Sequence, residues 1–363
     1  MAVTEPPGPS RTGPHPPPAG APTERWAALT DGAVIRRRGS RQPRSRCSSN
    51  RRRRQRPSTA AHLDRSGGSP RRGRPLRPVP DRHRQPGVSY VVDSMPPVDR
   101  RIALVTGASR GVGRGIAVAL GGAGWTVWVT ARSNRVAGST SHLPGTVEET
   151  AQAVTAAGGR GIGVLCDHRD DEQIQAVVRR IEAASGELHL LVNNAWAGYE
   201  RLNAGQWTEW NAPFWQQPLG LWDSMFDGGV RTHYVTSVLC APLLRRTPAS
   251  VIVTVSMEVG ASHDPAYGVA YSAAKAADDR LAMAMAKQLA ADGVASVAVY
   301  PGLVRTEGVM QFAAHLDLSA SQSPEGVGRV IADLAVDPRL MSITGQALHV
   351  ADLARRYGVN VTD

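Results

Sequence analysis

The sequence predicts an α/β fold in which a doubly wound parallel sheet is covered by helices on both faces. From Arg100 onward, short runs of apolar and β-branched residues alternate with helical stretches. Continuous apolar strands joined by helical crossovers indicate a buried parallel sheet. The first of these runs ends in closely spaced glycines before a helix. Ligands of such sheets bind beyond the carboxyl ends of the strands.

Seven strands are predicted in chain order, each an apolar run bounded by a turn or a helix. They span residues 102–106, 126–130, 163–166, 188–193, 251–256, 295–300 and 346–350. Helices fall between them, and one begins after Thr146, because Thr146 and Glu149 have the spacing of a capping box. A single domain over residues 95–363 is therefore expected.

A glycine-rich turn follows the first predicted strand. It reads Thr106-Gly107-Ala108-Ser109-Arg110-Gly111-Val112-Gly113 and opens into a predicted helix over residues 114–120. Glycines let the backbone approach a pyrophosphate, whose charge is met by amides at the helix N-terminus. Glycines at such a position are often plain turn residues. The turn nevertheless favours a Rossmann-type dinucleotide site, with TGxxxGxG spacing instead of GxGxxG.

Tyr271 and Lys275 lie four residues apart on one predicted helix, so their side chains share a face. An ammonium beside a phenol lowers the phenol pKa from about 10, and such a phenol can exchange a proton with a substrate oxygen. The same spacing also occurs by chance in many helices. Combined with the glycine turn and with Asn193-Asn194-Ala195 at a strand end, it predicts a nicotinamide oxidoreductase.

These motifs resemble the short-chain dehydrogenase/reductase family over the chain from about Arg100 to the C-terminus. The matching motifs are TGASRGVG, Asp167 after the third strand, NNA at 193–195, YSAAK at 271–275, and Tyr300-Pro301-Gly302 followed by Thr306. The segment 193–234 is similar to one branch in particular, the dehydrogenase/reductase SDR family member 1 type with its bacterial relatives.

The resemblance implies roles for individual residues. Tyr271 would be the acid/base, Lys275 would lower its pKa and bind the nicotinamide ribose, and Asn193 would support the central strand and the cofactor. Asp167 would meet the adenine amino group, although an isolated loop aspartate could equally cap a helix. The implied cofactor-binding residues are Thr106, Gly107, Ser109, Arg110, Gly111, Val112, Gly113, Arg132, Asp167, Asn193, Ala195, Tyr271, Lys275, Pro301, Gly302, Val304 and Thr306.

The chain departs from the family pattern at two positions. Ser256, the expected catalytic serine that positions the substrate oxygen, lies further from Tyr271 than in the family, and extra residues in the loop 260–266 would reconcile the two spacings. Ser262 is the rival candidate. The asparagine of the family's proton relay aligns with Gly229, so that water or His233 could substitute for it, or the relay could differ.

The end of the second strand indicates the cofactor. It reads Thr130-Ala131-Arg132-Ser133 and lacks the acid that would bind the ribose hydroxyls of NAD. Arg132 and Arg110 could pair with a 2′-phosphate. The sequence therefore predicts NADP(H) over NAD(H), the alternative being that Arg132 is a solvated loop charge.

The substrate is predicted to be a lipophilic or aromatic carbonyl or alcohol, with the direction left open. Aromatic residues between Asn193 and Trp222 could wall an apolar pocket, or pack as a satellite core or a subunit contact. They are Trp196, Tyr199, Trp207, Trp210, Phe214 and Trp215. The resemblance places a mobile lid at Val309, Met310 and Phe312. A homo-oligomer is expected.

The basic charge of the chain belongs to residues 1–94. This tail has 20 Arg, no Lys and six acidic residues, a net charge of +14, whereas the whole chain carries +11. With 15 of the 26 prolines and no apolar periodicity, it is predicted to be disordered. Such an arm could bind nucleic acid or an anionic membrane, or be a transit peptide. An upstream extension of the reading frame is favoured, with Met95 as the natural start.

Composition limits the remaining function classes. Without the tail the chain is slightly acidic, so no nucleic-acid partner is expected for the core. Cys47, Cys166 and Cys240 form neither a disulfide framework nor a zinc motif, and no metal site is predicted. No run of about 18 apolar residues occurs, so a cytoplasmic enzyme without a membrane span is expected. The alternatives are a cofactor-binding regulator with little turnover, suggested by Gly229 and the displaced serine, and a nucleic-acid-associated protein acting through the tail.

We expect residues 1–94 to be dispensable. All seven predicted strands and every predicted site residue lie after Met95, so no sheet position is left for the tail to fill. A chain that begins at Met95 should match the full chain in thermal unfolding and in turnover. Unfolding or inactivation of the shortened chain would show that the tail is an integral part of the fold.

Overall fold

The computed structural model describes residues 101–136, 138–139, 142–206, 209–210, 212–259 and 268–363. In this part of the chain seven strands form one parallel sheet, in which the third, second, first, fourth, fifth, sixth and seventh strands along the chain lie side by side in that order. The predicted α/β class and the doubly wound parallel sheet are therefore confirmed. The tail, Met95, Trp207 and Ser262 lie outside the described residues.

The strands follow the predicted order along the chain. They are β1 (Ile102–Thr106), β2 (Thr126–Ala131), β3 (Arg160–Leu165), β4 (Leu190–Asn193), β5 (Val251–Val255), β6 (Ala295–Tyr300) and β7 (Ala347–His349). The helices are α1 (Gly111–Gly122), α2 (Val147–Ala156), α3 (Asp171–Ser185), α4 (Glu200–Asn203), α5 (Leu219–Met225), α6 (Arg231–Arg246), α7 (Val269–Leu289), α8 (Glu307–Met310), α9 (Pro324–Leu334) and α10 (Val350–Tyr357). The predicted capping box opens α2, with Thr146 and Glu149 bonded reciprocally.

The third strand differs most from its prediction, since it begins at Arg160 and not at residue 163. Its first four residues read Arg-Gly-Ile-Gly, which lacks the apolar run used to predict strands. The glycines are required by close packing against α2. A Cβ at Gly161 would lie 2.0 Å from the carbonyl oxygen of Ala151. Close packing therefore requires glycine at positions where apolar side chains would have indicated a strand.

The sheet separates two apolar layers, as a parallel sheet with helical crossovers requires. Successive residues of β1 point to opposite faces. Val105 packs in a cluster with Ile116 of α1, whereas Leu104 packs in a second cluster with Ile181 of α3 and Leu243 of α6. All five side chains are buried. None of the helices in the described ranges is long and apolar enough to cross a membrane.

The strand order reverses direction between β1 and β4, and this switch point is where such sheets bind ligands. The two strands are held together at their carboxyl ends by one hydroxyl. Thr106 Oγ1 donates to the carbonyl oxygen of Val192 (3.1 Å) and accepts from the amides of Asn194 (2.9 Å) and Ala195 (3.0 Å). These hydrogen bonds therefore hold the backbone at the base of the neighbouring crevice in one position.

The buried imidazole of His168 should make the stability pH-dependent. It contacts Thr130 Oγ1 at 2.9 Å and Thr236 Oγ1 at 3.2 Å. Burial, assisted by the charge of His233, lowers the pKa of His168 from 6.5 to about 4. Between these values the unfolded chain binds a proton that the folded chain does not, so stability falls as the pH drops from about 6.5 to about 4.

At roughly 1.4 kcal/mol per pKa unit, this loss amounts to about 3 kcal/mol of unfolding free energy. Urea unfolding at several pH values in this window measures it. His168→Gln is the matched control, because an amide can hydrogen-bond to both threonines but does not titrate. We expect a flatter pH dependence in the variant, and parallel curves for the two proteins would contradict the assignment.

Candidate active site

A cavity opens at the carboxyl edge of the sheet, beside the ends of β1, β4 and β5. Most of the predicted site residues line it. They are Gly107, Ser109, Arg110, Gly111, Val112, Arg132, Asp167, Ala195, Ser256, Tyr271, Lys275, Pro301, Gly302, Val304 and Thr306. Thr106, Gly113 and Asn193 are buried and do not line it.

The glycine turn brings the backbone of β1 against the chain that leaves β4. Gly107 has a φ of +64°, and a Cβ there would lie 2.7 Å from Cα of Ala195, so glycine is required. Asn194 closes the turn by donating from Nδ2 to the carbonyl oxygens of Thr106 (2.9 Å) and Gly107 (3.1 Å). The sequence prediction gave Asn194 no role, although the NNA motif contains it.

The neighbouring Asn193 has a different environment. Its side chain is fully buried, and Nδ2 donates to Ser237 Oγ of α6 at 2.9 Å. Asn193 therefore ties the central strand β4 to a helix beneath the cavity. Of the two asparagines, only Asn194 lines the cavity.

The first amide of α1 attracts an anionic group in this structure. The backbone N–H of Gly111 donates to Glu307 Oε2 at 2.8 Å, so the carboxylate stands where a phosphate oxygen could accept the same bond. Glu307 is the first residue of α8 and also lines the cavity. The open backbone at Gly107 and this anion-binding amide fit the pyrophosphate of a nicotinamide dinucleotide.

The two arginines predicted to select the cofactor both line the cavity, with different partners. Arg110 donates to the carbonyl oxygens of Pro144 (2.9 Å) and Gly145 (3.0 Å), and also to hydroxyls of the same loop. It therefore holds the segment between β2 and α2. Arg132 forms an ion pair with Glu200 of α4 at the cavity wall.

Asp167 also lies at the cavity wall, directly after Cys166. Burial disfavours its ionised form, but hydrogen bonds and the charge of Arg169 hold the pKa of Asp167 below its usual range. The two side chains approach to 2.7 Å. The carboxylate that caps α3 belongs to Asp170, which accepts from the amides of Glu172 and Gln173. Asp167 is therefore not the cap of this helix.

Tyr271 and Lys275 lie on one face of α7, as the spacing predicted, and both are buried. The phenol oxygen of Tyr271 lies 2.7 Å from the hydroxyl of Tyr199 and donates to Sδ of Met257 at 3.2 Å. The ammonium of Lys275 donates to the carbonyl oxygen of Val255 at 3.2 Å. A phenol and an ammonium are thus presented to the same cavity.

A buried acid accompanies Lys275. Asp278 Oδ2 accepts from Lys275 Nζ at 3.2 Å, and Oδ1 pairs with His233 Nδ1 at 2.8 Å. The other ring nitrogen of His233 contacts the carbonyl oxygen of Ala195 at 2.9 Å. Burial opposes ionisation of Asp278, but the charges of His233 and Lys275 hold its pKa below its usual range. The ammonium therefore has a counter-ion inside the protein.

The structure explains the glycine at the position of the family's relay asparagine. Gly229 lies in a π-helical turn, Phe226–Val230, and a Cβ there would lie 2.4 Å from Cζ3 of Trp196. The indole of Trp196 fills this space. The centroid of its ring lies 3.8 Å from Nζ of Lys275, which stands over the ring face. A side chain at 229 and an indole at 196 are mutually exclusive in this packing.

Ser256 follows β5 and lines the cavity, and its hydroxyl donates to the carbonyl oxygen of Lys275 at 3.2 Å. The rival Ser262 lies outside the described residues. Three rings of the aromatic segment gather around Tyr271 with centroid distances of 5.8 to 5.9 Å, and these belong to Trp196, Tyr199 and Trp210.

The other described aromatic residues of this segment do not line the cavity. Phe214 and Trp215 are 60% and 71% exposed and pack edge to face against each other. The segment thus supplies both a pocket wall and an exposed surface. In the expected lid, Val309 and Phe312 line the cavity, whereas Met310 does not.

A doubly wound sheet, a glycine turn at its switch point and a tyrosine–lysine pair in the same cavity define a nucleotide-dependent dehydrogenase. The family model described as short chain dehydrogenase matches residues 101–317, and the chain belongs to this family. The resemblance found in the sequence is confirmed. The chain is therefore an oxidoreductase that acts on CH–OH or C=O groups with NAD(P).

Known proteins similar to this chain support the predicted branch. Dehydrogenase/reductase SDR family member 1 of Mus musculus is 38% identical over 282 residues, covering 74% of this chain and 85% of that protein. The Homo sapiens protein of the same name is 33% identical over 281 residues, with the same coverage. A crystal structure of a short chain dehydrogenase from Mycobacterium thermoresistibile has a TM-score of 0.60 and 28% identity, covering 71% of this chain and 88% of that one.

Proposed function

We propose that this protein is an NADP(H)-dependent oxidoreductase that interconverts a lipophilic or aromatic carbonyl compound and its alcohol, with Tyr271 as acid/base. One observation carries the proposal. Tyr271 and Lys275 line the same cavity as the glycine turn that begins at Gly107. A proton donor and a dinucleotide-binding edge thus share one space.

Each wall of the cavity has a proposed task. The dinucleotide supplies or accepts the hydride. The turn from Gly107 to Val112 holds its pyrophosphate, Asp167 meets the adenine, and the segment from Pro301 to Thr306 holds the nicotinamide end. Lys275 binds the nicotinamide ribose and favours the phenolate of Tyr271.

The proton has a defined route in either direction. During reduction Tyr271 gives its proton to the substrate oxygen, and during oxidation the phenolate takes the proton from the alcohol. Ser256 positions the substrate oxygen after its hydroxyl turns from the Lys275 carbonyl toward the cavity. Asn193 acts indirectly, through its support of β4.

The preference for NADP(H) rests on the end of β2. No acidic residue stands there, and Arg132 is half-buried with a carboxylate partner, Glu200, on the cavity wall. A 2′-phosphate carries more negative charge than a carboxylate and accepts more hydrogen bonds. It therefore competes well for this guanidinium.

The substrate class rests on the apolar lining around Tyr271. Trp196, Tyr199 and Trp210 form one wall, and Phe312 and Leu316 lie among the apolar residues on the lid side. Such walls favour an apolar or aromatic group next to the reacting oxygen. We further propose that the catalytic domain spans residues 95–363, because every strand of the sheet lies within it.

Replacing Tyr271 by Phe tests the proposed acid/base. Only the proton donor is lost, so turnover should fall by about 10²-fold or more. NADPH binding, measured by the fluorescence of the bound cofactor, should stay within about twofold of the wild type by the same reasoning. Tyr234→Phe on the exposed face of α6 is the matched control, since its ring is 52% exposed and lies outside the cavity lining. Retention of more than about a tenth of the activity would assign the proton to another group.

Replacing Arg132 by Asp tests the cofactor preference. Loss of a charged bidentate partner weakens binding by about 10- to 100-fold, and the new carboxylate adds repulsion. NADPH affinity should fall by at least that factor, while NADH affinity changes less. Arg135→Asp makes the same charge change at an exposed position outside the cavity lining and serves as control. Equal affinity of the wild type for NADH and NADPH would refute the preference.

A further inference from the structure

The phenol of Tyr271 has a second phenol beside it. The hydroxyl of Tyr199 lies 2.7 Å away, and the two ring centroids are 5.9 Å apart. Tyr199 precedes the short helix α4 and lines the same cavity. The family's motifs give no role to a tyrosine at this position.

Either hydroxyl can donate in this contact while both phenols carry a proton. Tyr271 donates its proton to Sδ of Met257, and a thioether sulfur can only accept. When Tyr271 directs its proton to this sulfur or gives it to a substrate oxygen, the proton in the 2.7 Å bond comes from Tyr199. Burial of its hydroxyl raises the pKa of Tyr199, although the residue as a whole is 38% exposed, so Tyr199 keeps its proton at neutral pH. A hydrogen bond donated to the phenol oxygen of Tyr271 favours the ionised form of Tyr271.

This donor matters because the positive charge of Lys275 is partly neutralised. Its ammonium lies 3.2 Å from the fully buried carboxylate of Asp278, which also pairs with His233. An ammonium with a close counter-ion lowers the pKa of a neighbouring phenol less than an unpaired one. The indole of Trp196 occupies the space of the family's relay amide, so no amide at 229 contributes either.

We propose that Tyr199 is a second catalytic residue, whose hydroxyl stabilises the phenolate of Tyr271. In reduction the carbonyl carbon accepts the hydride, the O–H bond of Tyr271 breaks, and its proton moves to the substrate oxygen. The substrate oxygen takes the place of Met257 Sδ as acceptor, and Tyr199 retains its own proton. In oxidation the same steps run backwards. The inference rests on the proposed role of Tyr271.

Other ionisable groups among the described residues lie on neighbouring helices or line the same cavity. On α7 and α6 they are Lys275, Asp278, Asp279 and His233, and around the cavity they are Arg110, Arg132, Cys166, Asp167, His168, Arg169, Glu200 and Glu307. The pKa of His168 is about 4 and that of Cys166 about 12, both outside the range between neutral and moderately alkaline pH. All these groups are common to the wild type and a Tyr199 variant, so the difference between the two isolates Tyr199.

Tyr199→Phe is the decisive variant, and an ultraviolet difference titration of tyrosinate is the first measurement. The titration requires no substrate. The part of the tyrosinate signal that is missing in Tyr271→Phe is assigned to the ionisation of Tyr271. The pKa assigned to Tyr271 should rise by about one unit in Tyr199→Phe, the usual effect of losing one hydrogen bond to the charged form. Tyr234→Phe, which removes an exposed hydroxyl outside the cavity lining, should leave it unchanged.

The pH–rate profile is the second measurement, with benzyl alcohol and NADP, or benzaldehyde and NADPH, as probes. The ionisation that controls turnover should move upward by about one unit. Oxidation of the alcohol near neutral pH should slow about tenfold, because less phenolate is present to take the proton, with NADPH affinity unchanged. If the pKa of Tyr271 in Tyr199→Phe equals that in the wild type, the inference is wrong. A fall in turnover without a shift of the profile also overturns it, since that is the result of a structural role.

Tyr271→Phe, titrated and assayed in parallel, separates this inference from the proposed function. If Tyr271→Phe remains active, the proposed acid/base is wrong, and the inference about Tyr199 is wrong with it. If Tyr271→Phe is inactive and Tyr199→Phe shows no shift, only the inference about Tyr199 is wrong.

Discussion

The hydroxyl of Thr106 is the contact on which the rest of the site depends. It binds the carbonyl oxygen of Val192 and the amides of Asn194 and Ala195, and so it closes the carboxyl ends of the two central strands into one unit. The conformation of the turn at Gly107 is then restricted, because its backbone lies against Ala195. From Ala195 the contacts continue through buried polar groups to the helix that carries the phenol. The proposed phosphate-binding edge and the proposed proton donor are thus built on the same junction.

The buried charges around Lys275 follow from this arrangement. Asp278 and His233 lie in the interior, and the carboxylate of Asp278 needs its partners, because an isolated buried charge is strongly destabilising. The result is an ammonium held at one place with little freedom to move. Trp196 completes the enclosure from the other side, and Gly229 is small for that reason. A change in the family pattern at one position is therefore compensated by another residue distant in sequence.

Sequence patterns revealed the features that depend on neighbours in the chain. The glycine turn, the helical spacing of Tyr271 and Lys275, and most strands could be predicted because periodicity and backbone sterics are local. The start of β3 could not, since Gly161 is required by packing against another element. The contact between Tyr199 and Tyr271 joins residues 72 positions apart, and neither side chain alone indicates it. The pairing of Arg132 with Glu200 was hidden for the same reason.

Glu307 links the start of α1, on one side of the cavity, to helix α8 on the substrate side. Its carboxylate accepts from the amide of Gly111, at the end of α1 that suits a pyrophosphate. A carboxylate and a diphosphate repel each other, so a dinucleotide whose pyrophosphate bound this amide would compete with Glu307 for it. Glu307 begins α8, and the next turns carry Val309 and Phe312 into the substrate side of the cavity. Such a displacement would change the space on the substrate side of the cavity and would favour an ordered kinetic scheme, with the nucleotide binding first and leaving last.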